Sequence, residues 1–239
     1  MTIAQSLHPS VLRDRLEELE LLYRRADLAV LDFQEKSGLS CPLGCGSCCE
    51  AFVPDILPLE AEYLAAFLAF KDRDRAYELA ARGLEERVRE DGRRGCPLYA
   101  DDTPYHCTVY EARPLICRLF AFSAVRDKRG EPSFARCRRM PALADRQAAG
   151  LAAPLASRAA GHLIVSGEPQ AARAQDAPLM ADYGGELAGI DPGSAGERDA
   201  LPEALTKALS KVLFLVGLNN ERDPENGGPD LSPPLPSAG

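Results

Sequence analysis

Cys41-Pro-Leu-Gly-Cys45-Gly-Ser-Cys48-Cys49 places four thiols within nine residues, with glycines at 44 and 46. Four more cysteines follow at Cys96, Cys107, Cys117 and Cys137, and none occurs from there to Gly239. Thiols packed this densely call for a shared metal, for disulfides, or for burial as small apolar groups. Burial can account for one or two of them, but not for four in one short loop.

The compartment weighs against disulfides. Met1 to Pro9 runs straight into the charged Arg13-Asp14-Arg15 with no apolar stretch of the secretory kind, and Val212 to Leu218 is too short to span a bilayer. A cytoplasmic location is expected, and in a reducing compartment a cysteine cluster reads as ligands or catalytic groups. A chain of 239 residues, 46% hydrophobic and 27% charged, can bury a core of its own. The net charge of −8 speaks against nucleic acid as a general partner.

Hydrophobic spacing predicts a mainly α protein. Between Ser10 and residue 37, Leu12, Leu16, Leu19, Tyr23, Ala26, Val30 and Phe33 recur at steps of four and three, the period of an amphipathic helix, which Gly38 ends. Pro58 opens a second helix through Tyr63, Leu64, Phe67 and Leu68, and a third is expected over about Asp72 to Glu90. Within Cys96 to Cys137 the elements are short: a strand at Cys107 to Tyr110, a helical turn after Pro114, and a hairpin around Asp127 to Gly130. Such a segment suits a small irregular subdomain in which bound metal replaces part of a core.

The organisation expected is an N-terminal helix (10–37), a cysteine-cluster domain (38–140), an alanine-rich helical extension (141–166), a flexible linker (167–200), a C-terminal amphipathic helix (201–218) and a disordered tail (219–239). The first and last helices are the surfaces through which a protein partner is expected to dock. No membrane partner is expected.

Thiolates are soft donors that select zinc, copper(I) or iron–sulfur clusters, most often four at a time, so eight thiols suffice for two sites. Cys41, Cys45 and Cys48 are spaced to converge on one centre. Cys48 and Cys49 point apart if the backbone is extended; if a helix begins at Cys45, then Cys45, Cys48 and Cys49 share one face.

The run Cys107-Thr-Val-Tyr-Glu-Ala-Arg-Pro-Leu-Ile-Cys117-Arg118, preceded by the nine-residue cluster and by Cys96-Pro-Leu, resembles the YkgJ-type cysteine-cluster family, described as zinc- or iron-chelating and as iron–sulfur-cluster-containing. The resemblance covers about Cys41 to Cys137. It implies that Cys41, Cys45, Cys48, Cys49, Cys96, Cys107, Cys117 and Cys137 are the metal ligands, with Tyr110, Arg113, Pro114 and Arg118 around them. The cofactor so implied is an iron–sulfur cluster, of the 4Fe-4S type, or zinc, and no reaction comes with the family. One larger relative with such a cluster is a flagellin lysine methylase, so a cluster-dependent enzyme related to protein lysine methylation is one alternative to a redox module. A zinc-stapled adaptor is another.

CxxxCxxC is also the spacing of radical S-adenosylmethionine enzymes, but Ser47 stands where those prefer an aromatic, and the repeated strand–helix units of their barrel are missing. Basic residues crowd the same region. Arg113 and Arg118 are read as balancing thiolate charge, whereas Arg136, Arg138 and Arg139 are left open between that role and contact with an anionic partner. His106 is read as a neighbour of a ligand, and Asp101-Asp102 as a turn.

Overall fold

The computed structural model describes residues 2–42, 44–103, 105–140 and 174–222. The helical extension expected at 141–166 and the tail from residue 223 onward lie outside the described residues.

Helix α1, Val11–Ser37, begins where the Ser10 side chain accepts the Arg13 N–H at 3.2 Å and ends at Gly38, whose φ of 65° is the left-handed conformation glycine adopts without penalty. Leu16, Leu19, Tyr23, Ala26, Val30 and Phe33 are buried along one stripe. The single turn α2, Ser47–Glu50, carries the end of the first cysteine cluster. Helix α3, Pro58–Lys71, starts on proline, the residue whose missing N–H costs nothing in a first turn. It is buried on nearly every side, so its apolar run needs no single stripe.

Helix α4, Arg73–Arg82, is shorter than expected. It stops at Gly83 (φ 77°), and residues 84–95, expected in part as helix, instead form a hairpin of β2, Arg87–Val88, and β3, Arg94–Gly95, turning at Gly92. The reason is local: Leu84 and Val88 are the only large apolar residues between Gly83 and Gly95, too few to hold a helix against a core, and Val88 is exposed. The strand expected at Cys107–Tyr110 is likewise a turn, continuing into a 3₁₀ helix at Tyr110–Ala112; His106 takes a positive φ of 52° there. Pro114 caps α5, Leu115–Leu119, and the expected hairpin is present as β4, Val125–Arg126, with β5, Pro132–Ser133.

The segment 167–200, expected as a loose connector, is corrected in its described part by helix α6, Met180–Ile190. Three glycines in that helix, Gly184, Gly185 and Gly189, make it a poor helix by propensity. Tertiary contacts impose it: Leu187 is buried, Glu186 pairs with Arg25, Asp191 pairs with Arg15 at 3.1 Å, and Ala124 exchanges backbone hydrogen bonds with Pro178 and Met180.

The last helix, α7, Leu201–Arg222, lies along α3 and α4 with Leu205, Leu209 and Val212 fully buried. Just before it, β6, Asp199–Ala200, pairs antiparallel with β1, Asp55–Ile56, and the Leu201 N–H donates to Pro54 O at 2.9 Å. The C-terminal part of the fold is thereby fastened to the connector that leaves the first cysteine cluster. No helix among the described residues is long and apolar enough to cross a membrane.

Candidate metal centre

The first cluster is a turn followed by one helical turn. Gly44, at φ 67°, lets the chain reverse so that the Cys45 N–H reaches Pro42 O at 3.1 Å. The Cys49 N–H then donates to Gly46 O at 2.9 Å, and helix α2 begins at Ser47 rather than at Cys45. Cys48 and Cys49 sit side by side in that turn with their sulfurs 3.8 Å apart.

Two other segments close on this turn. Strand β3 passes so near that the Cys96 N–H donates to Cys49 O at 2.9 Å, and any Cβ at Gly95 would strike Glu50 O. Arg87, on the other strand of that hairpin, reaches toward Cys49 O and Glu50 O while stacking 4.0 Å over the Tyr99 ring. The residues before Cys107 close on the opposite side: His106 rests against Gly46, where an added methyl would come within 2.8 Å of the imidazole. His106 stacks on Tyr99, and its buried Nδ1 has no hydrogen-bond partner.

Cys117 is held by α5, whose first N–H, at Leu115, donates 2.8 Å to the buried carboxylate of Glu60. Glu60 also accepts from Leu57 N–H at 3.0 Å and from Tyr23 OH at 3.2 Å, so one side chain of α3 ties together α1, the start of α3 and the helix that carries Cys117. Its role depends on partners from distant segments, and no local pattern marks it. Arg118 is engaged with oxygens and a ring rather than with sulfur. Its guanidinium bonds Asp27 (2.5 Å), Glu111 O and Arg113 O, and lies over the Tyr23 ring. It fixes the Cys107–Cys117 loop to α1.

Arg113 is a cation within electrostatic reach of the thiols. It stacks 4.2 Å over Tyr110 and approaches Asp27 at 3.5 Å, and its charge acts on both Cys41 and Cys107. Its Nε is buried with no hydrogen-bond partner among the described residues, a kind of N–H donor that a thiolate can satisfy.

The sulfurs make each other hard to ionise. Burial, then Cys45, Cys48 and Cys137, pushes the Cys41 thiol up to about 11. Cys48 is driven upward by its contact with Cys49 and by burial. For Cys49 the Cys48 contact lowers the pKa, but contact with Cys96 and burial outweigh it, leaving the thiol pushed up to about 12. Burial raises Cys107 and Cys117, with Cys48 adding to the first, and Cys49, Cys107 and Cys48 to the second. The eight thiols thus fall within mutual electrostatic reach, although among the described residues no three Cys, His, Asp or Glu side chains stand close enough to grip an ion as placed. The fit to a metal is one of donor chemistry: soft sulfurs in a partly buried patch within reach of the Arg113 charge.

Beside Cys48 and Cys137 opens a cleft of about 800 Å³ whose wall includes Arg89, Arg93, Phe52 and Phe120. The sequence reading ran a helix through to about Glu90, which includes Arg89, and gave neither Arg89 nor Arg93 a place at the site.

Residues 40–138 match the family model CxxCxxCC, "putative zinc- or iron-chelating domain". This chain carries one residue more than that name between its first two cysteines, Cys41 and Cys45. No curated protein and no solved structure matches the chain. The match to this model, which is that of the YkgJ-type zinc- or iron-chelating domains, takes in all eight cysteines and less than half of the chain.

Proposed function

We propose that this chain is a metal-binding protein whose eight cysteines act as two groups of four, that it holds an iron–sulfur cluster in preference to zinc, and that it works in electron transfer. The observation that carries the reading is the convergence of thiols from the 41–49 loop and from Cys96, Cys107, Cys117 and Cys137 into one patch in which each discourages its neighbours from ionising. Thiolates concentrated in this way require a cation, and binding one releases the protons.

The grouping follows the neighbours of each sulfur. Cys49 touches Cys96 and lies within electrostatic reach of Cys107, and Cys117 lies within reach of both Cys49 and Cys107, which makes an inner group of Cys49, Cys96, Cys107 and Cys117. Cys41 lies within reach of Cys45, Cys48 and Cys137, an outer group; Cys48 stands between the two groups, its sulfur 3.8 Å from that of Cys49 and its charge acting on Cys107 and Cys117, and it is assigned to the outer group because it is, with Cys41, one of the two exposed thiols. An all-sulfur donor set with Cys-Pro at Cys41-Pro42 and Cys96-Pro97 suits iron–sulfur chemistry. Such a cluster, when bound, supplies reversible one-electron transfer. The protein's own part is to bury the inner thiols, present the Arg113 N–H to them, and leave the outer group open to solvent.

The test is iron, zinc and acid-labile sulfide analysis with a visible spectrum, on protein purified without oxygen. Brown protein with stoichiometric iron and sulfide supports the reading; colourless protein with bound zinc replaces the cluster with a structural ion; absence of both sinks metal binding. A Cys117→Ser variant is expected to lose the inner centre and a Cys137→Ser variant the outer one, each keeping part of the metal. Loss of all metal in both would contradict the grouping. Thiolate-ligated structural metal is worth about 10–16 kcal/mol, against the roughly 5–15 kcal/mol that stabilises a domain, so chelation should melt residues 40–138.

A further inference from the structure

We infer that the cleft beside Cys48 and Cys137 is a binding site for a small organic anion, a carboxylate or phosphate ester carrying a flat apolar group. Four guanidinium groups line it, from Arg89, Arg93, Arg138 and Arg139. Glu50 is the one carboxylate of the wall, and it is already engaged with Arg89 at 3.2 Å; Asp91 is likewise engaged with Arg93 at 2.7 Å and lies 3.4 Å from Arg89. Arg138 and Arg139 are exposed and have no ion pair among the described residues. In a chain whose net charge is −8, two guanidinium groups without an ion pair among the described residues, beside two partly neutralised ones, make a local reversal of field. Arginine is the side chain best shaped to grip a carboxylate or phosphate with two N–H groups at once.

The second half of the ligand is read from the aromatic wall. Phe52 and Phe120 pair across the same cleft with ring centroids 5.5 Å apart at 45°, leaving ring surface toward its interior. A cleft of about 800 Å³ lies within the range of small-molecule sites, and apolar walls with a few convergent charges are their usual composition. Cys48 and Cys137 belong to the outer thiol group, so an anion held by Arg138 and Arg139 lies against the thiols proposed to face solvent. The arginines and phenylalanines are protein groups, and the inference stands whether the sulfurs hold iron, zinc or protons.

The experiment uses the full chain purified without oxygen and 1-naphthyl phosphate as a fluorescent probe, with binding read by fluorescence anisotropy. Wild-type protein is expected to bind it, inorganic phosphate is expected to compete more weakly than 1-naphthoate or unlabelled phenyl phosphate, and 1-naphthol is expected not to compete. The ranking of benzoate against phenyl phosphate, which share one ring, tells carboxylate from phosphate. Arg138→Gln/Arg139→Gln should weaken binding at least about tenfold, as loss of charge-assisted contacts requires, while Arg82→Gln, on exposed α4, should leave it unchanged. Metal content and circular dichroism of the double variant are expected to match wild type, which separates this result from the metal reading. No binding by wild type, equal binding by the double variant, or equal competition by 1-naphthol would each overturn the inference.

Discussion

Replacing Glu60 by alanine tests whether the helical frame and the thiol patch are one cooperative unit. The Glu60 carboxylate is 2% exposed and accepts from two backbone N–H groups and a phenol that come from three different parts of the chain. Alanine leaves all three donors buried without an acceptor. Each stranded donor costs about 1–3 kcal/mol, and breaking a buried charged network by removing one member costs about 3–5 kcal/mol, so a loss of about 3–5 kcal/mol is expected after local relaxation. Equilibrium urea unfolding followed by circular dichroism measures it. The same sample should lose the metal held by the Cys117 group, because Leu115, one of the three donors, opens the helix that carries Cys117. A loss under about 1 kcal/mol with full metal content would refute the assignment of Glu60 as the joint.

The same side chain gives the sign of a pH effect. Burial raises the Glu60 carboxyl above its ordinary value of 4.5, outweighing the hydrogen bonds from Leu115, Leu57 and Tyr23 that lower it. The folded state therefore holds this proton more tightly than the unfolded state. Its contribution to stability is complete below about 4.5 and is lost as the pH rises through the raised value. Wild type should gain stability on acidification relative to Glu60→Gln, which has no proton to take up. A difference between the two that stays flat across that window, or that runs the other way, would contradict the burial argument.

Three further outcomes are expected. Gly46→Ala forces a methyl against His106 and should cost about 1–3 kcal/mol together with part of the metal, measured by thermal unfolding and metal analysis; unchanged values would mean that the two loops do not meet as described. Arg113→Lys keeps the charge but removes the buried Nε donor, so metal should be released to a chelator about 10-fold more readily, and identical release would leave that N–H without a role. Deleting residues 201–239 removes Leu201, Leu205, Leu209 and Val212, each worth about 1.5–3 kcal/mol buried, and should give unfolded or insoluble protein; a soluble, metal-loaded truncation would show that α7 is dispensable.

What was legible in the sequence was whatever the chain decides locally. The stripe of α1 follows from a 3.6-residue period, its end from Gly38, the start of α3 from Pro58, and the β4–β5 turn from Asp127 to Gly130. The cysteine block could be read because its spacing is itself the chemistry. Residues 84–90 were misread as helix because dense charge resembles a solvated helical face, whereas the decisive features were Gly83 and Gly92 at positive φ. Helix α6 was hidden for the opposite reason: its glycines disfavour it, and the burial of Leu187 and the ion pairs of Glu186 with Arg25 and Asp191 with Arg15 hold it in place. Glu60 and Asp27 were out of reach, since a buried carboxylate is recognisable only once its distant donors are in place.

The pairing of β1 with β6 bears on how such a protein is made. A ribosome delivers the chain from its N-terminus, so all eight thiols are out of the exit tunnel before residues 199–222 have been translated. Until then α3 lacks the partner that covers it, and the two residues that follow Pro54 lack their strand. The thiols are therefore exposed to metal donors and to oxidants on a nascent chain whose frame is still open. The last helix, by docking on α3 and fastening beside the cysteine loop, ends that interval.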